Sequence, residues 1–271
     1  MSNSTSKGTA LITGASRGIG AVYADRLAKR GYDLILVSRS EAPLKALAGS
    51  LASSSGRHIT AIVADLNDKI DLAKVEARLK EDSSITMLVN NAGTGSVVPL
   101  LDADVEKMED MVTLNITALT RLTYAAAPAF VKRGKGTIIN IGSIVGISPE
   151  TLNGVYGATK AYVLAFSHSL QHELSGKGIR VQAVLPGVTA TDFWETAGLP
   201  WQKLPPSIVM STEDMVDAAL LGLDHGELVT IPGLHDGDEW TRFEAARRAI
   251  SQRFGNSVPA SRYRNQARRS A

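Results

Sequence analysis

Thr9-Ala10-Leu11-Ile12-Thr13-Gly14-Ala15-Ser16-Arg17-Gly18-Ile19-Gly20 is the stretch that decides the fold. Its first five residues form an apolar run short enough for a buried strand. Gly14, Gly18 and Gly20 mark a tight turn, and Ile19 opens a helical pattern that runs to Arg30 and stops at Gly31. Strand, glycine turn and helix in this order aim backbone N–H groups and a helix N-terminus at one point, where a pyrophosphate can sit. A glycine turn without a ligand is the competing reading. Placement directly after a first buried strand favours the dinucleotide.

The same alternation continues downstream. Strands are expected at Asp33 to Ser38, His58 to Val63, Ile85 to Val89, Gly136 to Ile141, Arg180 to Leu185 and Leu228 to Ile231. Helices are expected at Leu44 to Leu51, Ile70 to Lys80, Asp104 to Phe130, Tyr156 to Leu174 and Thr212 to Leu223. Leu72, Val75 and Leu79 share one side of the second of these. Strands that are apolar throughout are covered on both faces. With helices between them, right-handed crossovers give a single-domain α/β fold, a doubly wound parallel sheet of about seven strands. Ligands then bind at the carboxyl ends of the strands.

Composition sets outer limits. The chain has 271 residues, 44% of them hydrophobic and 21% charged, as in an ordinary globular protein. With no cysteine there are no disulfides and no thiolate metal sites. Met1 to Lys7 is polar, without an apolar signal core, and is expected to be disordered; no stretch approaches the length of a membrane span. A cytoplasmic protein is the expectation. Four of the 29 basic residues, Arg262, Arg264, Arg268 and Arg269, lie in the acid-free tail 256–271, so the rest of the chain, against 27 acids, is slightly acidic. The expected domain is therefore 8–255, followed by a basic tail, with no basic stripe for nucleic acid.

The second strand ends Val37-Ser38-Arg39-Ser40, where an NAD-binding chain would place an acid for the ribose 2′-hydroxyl. Here Arg39 stands instead, with Arg17 in the first turn; guanidinium groups suit a 2′-phosphate. NADP(H) is thus preferred over NAD(H). Asp65, after the third strand, could accept from an adenine amino group or cap the following helix.

Tyr156 and Lys160 stand one helical turn apart in Val155-Tyr156-Gly157-Ala158-Thr159-Lys160. The lysine charge can favour phenolate and draw the tyrosine pKa below its reference of about 10. Just upstream, Ser143 closes the run Thr137-Ile138-Ile139-Asn140-Ile141-Gly142-Ser143. A phenol, an ammonium and a hydroxyl suffice to move a proton to or from a carbonyl oxygen.

With Thr-Gly-x-x-x-Gly-x-Gly at Thr13 to Gly20, Asp65, Asn90-Asn91-Ala92-Gly93, Asn115, Ser143, Tyr156, Lys160 and Pro186-Gly187, the chain resembles the short-chain dehydrogenase/reductase family in its NADP-preferring subgroup. The resemblance covers roughly Thr9 to Thr191 and implies a Rossmann-type fold. It implies that Tyr156 is the general acid/base, that Ser143 holds the substrate oxygen, and that Lys160 binds the nicotinamide ribose and lowers the tyrosine pKa. Asn115 would interrupt its helix and hold a relay water. Gly14, Ser16, Arg17, Gly18, Ile19, Gly20, Ser38, Arg39, Asp65, Leu66, Asn91, Ala92, Gly93, Pro186, Gly187, Val188, Thr189 and Thr191 would bind the cofactor. The two long helices resemble the family's subunit interface, implying a homodimer or homotetramer.

Val188 to Ser211 is long and carries Phe193, Trp194 and Trp201; it reads equally as an apolar substrate wall and as ordinary packing. His168 and His172 lie about 120° and 160° around the helix from Tyr156, so no metal is expected at the site. The reading that follows is an NADP(H)-dependent oxidoreductase interconverting an apolar ketone or aldehyde and an alcohol. The alternative is a catalytically silent NADP(H)-binding sensor or scaffold.

Overall fold

The structure is a computed structural model and describes residues 6–263. Most of the expected disordered start, and Arg264, Arg268 and Arg269 of the basic tail, fall outside the described residues. Contacts divide the chain into two compact units after Gly233.

The first unit contains seven parallel strands: β1 (Thr9–Thr13), β2 (Asp33–Ser38), β3 (Ile59–Val63), β4 (Ile85–Asn90), β5 (Gly136–Ile141), β6 (Ile179–Val184) and β7 (Val229–Thr230). Their order is β3-β2-β1-β4-β5-β6-β7, so the chain winds outward in one direction from β1 and then reverses past it to β4. The reversal point lies between β1 and β4, where a ligand crevice forms at the carboxyl edge.

The helices are α1 (Gly18–Lys29), α2 (Glu41–Ser55), α3 (Lys69–Glu81), α4 (Val105–Val112), α5 (Leu119–Arg133), α6 (Gly154–Leu174), the short α7 (Phe193–Ala197) and α8 (Thr212–His225). Successive strand residues point to opposite faces, and both faces are covered. Ala10, Ile12, Leu34 and Leu36 pack with Tyr23 and Leu27 of α1, Leu44 and Leu51 of α2, and Met215 and Leu220 of α8. Leu11, Ile35, Val37 and Leu88 pack with Leu72, Val75 and Leu79 of α3, Phe130 of α5 and Leu170 of α6. This is why the strands carry no polar alternation. β3 departs from it: as an edge strand it is only half-buried, and Val63 is exposed.

The expected helix from Asp104 to Phe130 is present but not uniform. Asp104 caps α4 by accepting from the Glu106 N–H, a π turn spans Thr113–Ala118, and α5 continues to Arg133. The second unit holds α9 (Gly237–Ser251), in a segment to which the sequence patterns assigned no element. Asp236 caps it, Asp238 and Glu239 occupy its first turn and Arg248 its last, an arrangement that suits the helix dipole.

Candidate active site

A cleft of about 390 Å³ opens at the carboxyl edge. Its floor begins at the glycine turn. Gly14 and Gly18 have φ of 63° and 54°, which favours glycine. At Gly18 an added Cβ would meet only the Thr191 side chain, at 3.3 Å, so the turn is open on that side. Thr13 ties this turn to β4: its hydroxyl accepts from the N–H groups of Asn91 and Ala92, each at 3.0 Å. The Asn91 side-chain amide returns the contact, donating to the carbonyls of Thr13 and Gly14 at 2.9 and 3.1 Å.

Gly14, Ser16, Arg17, Gly18, Ile19, Ser38, Arg39, Asp65, Leu66, Asn91, Ala92, Gly93, Pro186, Gly187, Val188, Thr189 and Thr191 all line the cleft, with Ser143, Tyr156, Lys160, Phe193 and Trp194. Gly20 does not. It is buried under the turn, where a Cβ would collide with the Gly14 carbonyl and lie 2.6 Å from Asn91 Nδ2. It acts by letting α1 pack closely, not by touching a ligand. Trp201 is also absent from the lining. Gly198 ends α7 with φ of 98°, and Pro200 leads Trp201 into a separate 3₁₀ turn at Trp201–Lys203.

At the adenosine end, Ser38 Oγ donates to Ser16 Oγ at 2.9 Å and accepts from the Ser40 N–H. Arg39 is exposed beside them. Arg17 is drawn elsewhere: its guanidinium lies 3.4 Å from Asp192, across the cleft mouth. Such an exposed pair contributes at most about 1 kcal/mol, so a phosphate can compete for it. Asp65 does not cap α3. Its carboxylate accepts from the Asn67 N–H at 3.0 Å, while Asp68 caps the helix through Ile70 and Asp71. Of the two readings, capping is removed, and Asp65 stays at the cleft wall.

At the opposite end, α6 presents Tyr156 and Lys160. Asn153 starts this helix, its side-chain oxygen accepting from the N–H groups of Val155 and Tyr156 at 2.9 and 3.3 Å. Ser143 is held where β5 ends, in a 3₁₀ turn over Ile144–Gly146. A Cβ at Gly146 would lie 2.7 Å from the Lys160 carbonyl, so that turn packs directly on α6 and fixes Ser143 against the other two groups. Ser143 Oγ donates to the Pro186 carbonyl at 3.4 Å and accepts from the Val145 N–H at 3.3 Å, and it is close enough to the Tyr156 phenol to bear on its pKa.

Both ionisable groups are buried. Burial pushes Tyr156 up to about 12, with the Ser143 contact pulling weakly the other way. Burial also brings Lys160 down to about 8. The tyrosine pKa expected to fall beside Lys160 is instead raised overall, and the cause of the rise is desolvation. Lys160 Nζ lies 5.7 Å from the centre of the phenol ring and donates to the Ile141 carbonyl at 3.0 Å. An ammonium has three N–H donors, so capacity remains for the hydroxyls of a ligand.

Asn115 sits in the π turn, 2% exposed, but not at the cleft surface. Its amide bonds both backbone groups of Thr94, each at 2.9 Å, and donates to Thr159 Oγ1 at 3.1 Å. The side chain is thereby spent on the Thr94 segment, which argues against its amide holding a relay water. Residues the sequence reading did not single out complete the site: Thr94, Gly95, Gly142, Ile144, Val145, Thr151 and Leu152 line the cleft, and Asn153 supports it. Asn153 carried a signal, as an Asn just ahead of a helix. Among the described residues no cluster of three His, Asp or Glu side chains could hold a metal, and no helix is long and apolar enough to cross a membrane.

The cradle fits a nicotinamide dinucleotide, NAD(P). Its glycine turn leads into the N-terminus of α1, where a pyrophosphate can be held, and a buried cation lies at the far end.

Comparison with known proteins agrees with this geometry. A short-chain dehydrogenase of Sphingobium yanoikuyae, solved in complex with NADPH, is 49% identical; the match covers 95% of this chain and 100% of that one, with a TM-score of 0.92. The bulky-bulky ketone specific alcohol dehydrogenase of Comamonas testosteroni is 45% identical over 96% of this chain and 100% of that one, with a TM-score of 0.88. A very-long-chain 3-oxoacyl-CoA reductase of Anas platyrhynchos is 38% identical over 202 residues, 73% of this chain but only 64% of that protein's own length. The family profile for short chain dehydrogenases matches residues 8–199, and the chain belongs to that family.

Proposed function

We propose that this protein is an NADP(H)-dependent oxidoreductase that interconverts a ketone or aldehyde carrying apolar flanks with the corresponding alcohol. The observation that carries it is the convergence of Ser143, Tyr156 and Lys160 on one cleft whose other end carries Ser38 and Arg39. The nicotinamide, when bound, supplies or accepts the hydride. Ser143 Oγ holds the carbonyl oxygen, and the Tyr156 phenol delivers a proton to it as negative charge develops there. A phenol raised to about 12 stays protonated at neutral pH, and an alkoxide is more basic than a phenolate. Reduction is therefore the direction for which the ligand-free site is poised. Lys160 binds the ribose hydroxyls, and Asn115 positions the Thr94 segment beside it.

Arg39, with the Ser16 and Ser38 hydroxyls, receives the 2′-phosphate, which supports NADP(H) over NAD(H). The NADPH complex of the Sphingobium protein and the ketone preference of the Comamonas enzyme support the same reading. So does the apolar cluster of Met111, Val145 and Tyr156, with Leu152 and Phe193 packed on it. A homodimer or homotetramer built on α5 and α6 is part of the proposal. There Tyr124, 69% exposed, stacks on Phe166 with ring centres 6.5 Å apart.

NADPH oxidation over a ketone panel, comparing the parent with Tyr156→Phe, tests the assignment. Loss of nearly all turnover in the variant with NADPH binding retained is expected. A parent no faster than the variant on every ketone would favour the silent sensor.

A further inference from the structure

We infer that Gly95 and Phe193 form a paired size filter over the Tyr156 phenol: the side chain at 193 sets how wide an apolar ketone can be, and the glycine at 95 sets where that side chain sits. This deepens the carbonyl-reductase reading and rests on it for the identity of the ligand.

Phe193 opens α7, and its ring centre lies 5.7 Å from that of Tyr156. A substrate carbonyl that reaches the phenol must pass one flank beside this ring. The tip of the ring is seated on Gly95. A Cβ at position 95 would collide with Phe193 Cζ and lie 3.0 Å from its Cε2 and 3.2 Å from Tyr156 Cε2. Gly95 does not have a positive φ, so backbone conformation does not call for glycine there. The close approach of two aromatic rings does.

The backbone around Gly95 cannot easily retreat from an added methyl. Thr94 is clamped through both its backbone groups by Asn115. Val97 N–H donates to the Ala197 carbonyl at 3.0 Å, fastening the segment to the end of α7. The Val98 carbonyl accepts from the Asn153 amide at 2.6 Å, fastening it to the start of the tyrosine helix. The other side of Phe193 is closed by Trp194, edge-on at 5.5 Å between ring centres. Trp194 is buried and anchored by its indole N–H to the Thr189 carbonyl at 3.0 Å. A methyl at position 95 must therefore drive the Phe193 ring into the cleft, and a small residue at 193 removes the collision, leaving only the 3.2 Å approach to Tyr156 Cε2.

The test is a double-mutant cycle of the parent, Gly95→Ala, Phe193→Ala and the double variant. Each protein is saturated with NADP+ and titrated calorimetrically with butanone and with benzophenone; NADPH oxidation is measured on the same two ketones. Gly95→Ala is expected to weaken benzophenone binding by about tenfold or more, the scale of a methylene-sized misfit in an apolar pocket, with butanone changed less than about threefold. In the Phe193→Ala background the same substitution is expected to cost less than about twofold. An equal penalty in both backgrounds, an equal effect on both ketones, or no binding of benzophenone to any of the four overturns the filter. Should Gly95→Ala lose NADP+ binding through misfolding, the series Phe193→Trp, parent, Phe193→Leu must still rise in preference for benzophenone, and a flat series overturns the filter. Benzophenone binding that follows the cycle without turnover in the parent would sink the reductase reading while leaving the filter standing.

Discussion

Asn115→Ala separates two roles that the sequence leaves merged. The side chain makes three hydrogen bonds, to Thr94 N–H and Thr94 carbonyl at 2.9 Å each and to Thr159 Oγ1 at 3.1 Å. Truncation orphans the two Thr94 groups, at about 1–3 kcal/mol apiece for buried polar groups and toward the low end here because Thr94 is only half-buried. Thr159 suffers less, since its hydroxyl keeps its bond to the Tyr156 carbonyl at 2.8 Å. The expected total is about 2–4 kcal/mol, or a fall in Tm of roughly 5–15 °C for a domain of this size. Urea unfolding gives the first number and scanning calorimetry the second. Because Thr94 lies between Gly93 and Gly95 at the cleft, NADPH affinity should drop with stability, and Asn115→Asp, which keeps the acceptor for Thr94 N–H, should recover part of both. A variant as stable as the parent, with intact NADPH binding and only kcat reduced, would refute the clamp and return Asn115 to a purely proton-relaying role.

Three further outcomes are expected. Arg39→Asp should raise the NADPH Kd by about tenfold or more, the worth of a charge-assisted hydrogen bond, and change NADH little; an unchanged ratio in fluorescence titrations removes the 2′-phosphate assignment. Gly20→Ala should cost about 1–3 kcal/mol by overpacking, because its Cβ meets the Gly14 carbonyl and Ala15 Cα and cannot be relieved by a side-chain rotation; parental stability and NADPH affinity in this variant would contradict the buried geometry. Ligand-free Lys160, lowered from its ordinary 10.5 to about 8, binds fewer protons folded than unfolded between those values, so it makes stability rise with pH across that window by about 3 kcal/mol. Tyr156, held up near 12, adds the opposite slope only above about pH 10. Urea denaturation from pH 7.5 to 10 should show the rise in the parent and not in Lys160→Met, and equal slopes would count against a desolvated lysine.

What was legible in the sequence is what short-range pattern encodes. β1, β2 and β5 fall on the expected residues because apolar runs bounded by glycine or polar residues specify buried strands without reference to anything distant. The glycine turn was legible for the same reason, since strand, turn and helix are contiguous. Helix ends were read less well: α6 starts at Gly154, two residues before Tyr156, because Asn153 caps it. The contacts that shape the reacting end join residues far apart in the chain. Asn115 holds Thr94 from 21 residues away, Asn153 holds Val98 from 55, and Phe193 meets Gly95 from the other side of two strands. No periodicity marks such pairs. Thr94, Gly95, Val98, Asn153 and Phe193 each read alone as loop residues, and Asn115 as one position of a long helix.

The Tyr156–Lys160 step shows how adjacency differs from electrostatics. Spacing places an ammonium one turn from a phenol, and from that alone the phenol should be acidified. The fold adds what spacing cannot express: Tyr156 is 6% exposed and Lys160 7%, among Val145, Met111 and Phe193. Removing water penalises phenolate and ammonium alike, so the two pKa values, ordinarily close together, move apart, to about 12 and about 8, by desolvation and not by pairing. At neutral pH the phenol keeps its proton, and the lysine keeps its charge by a margin of only about one unit, resting on the Ile141 carbonyl. An anionic, hydroxyl-bearing ligand in the cleft restores what water supplied to that ammonium. Cofactor binding is therefore expected to favour the charged form of Lys160, raising its pKa from about 8.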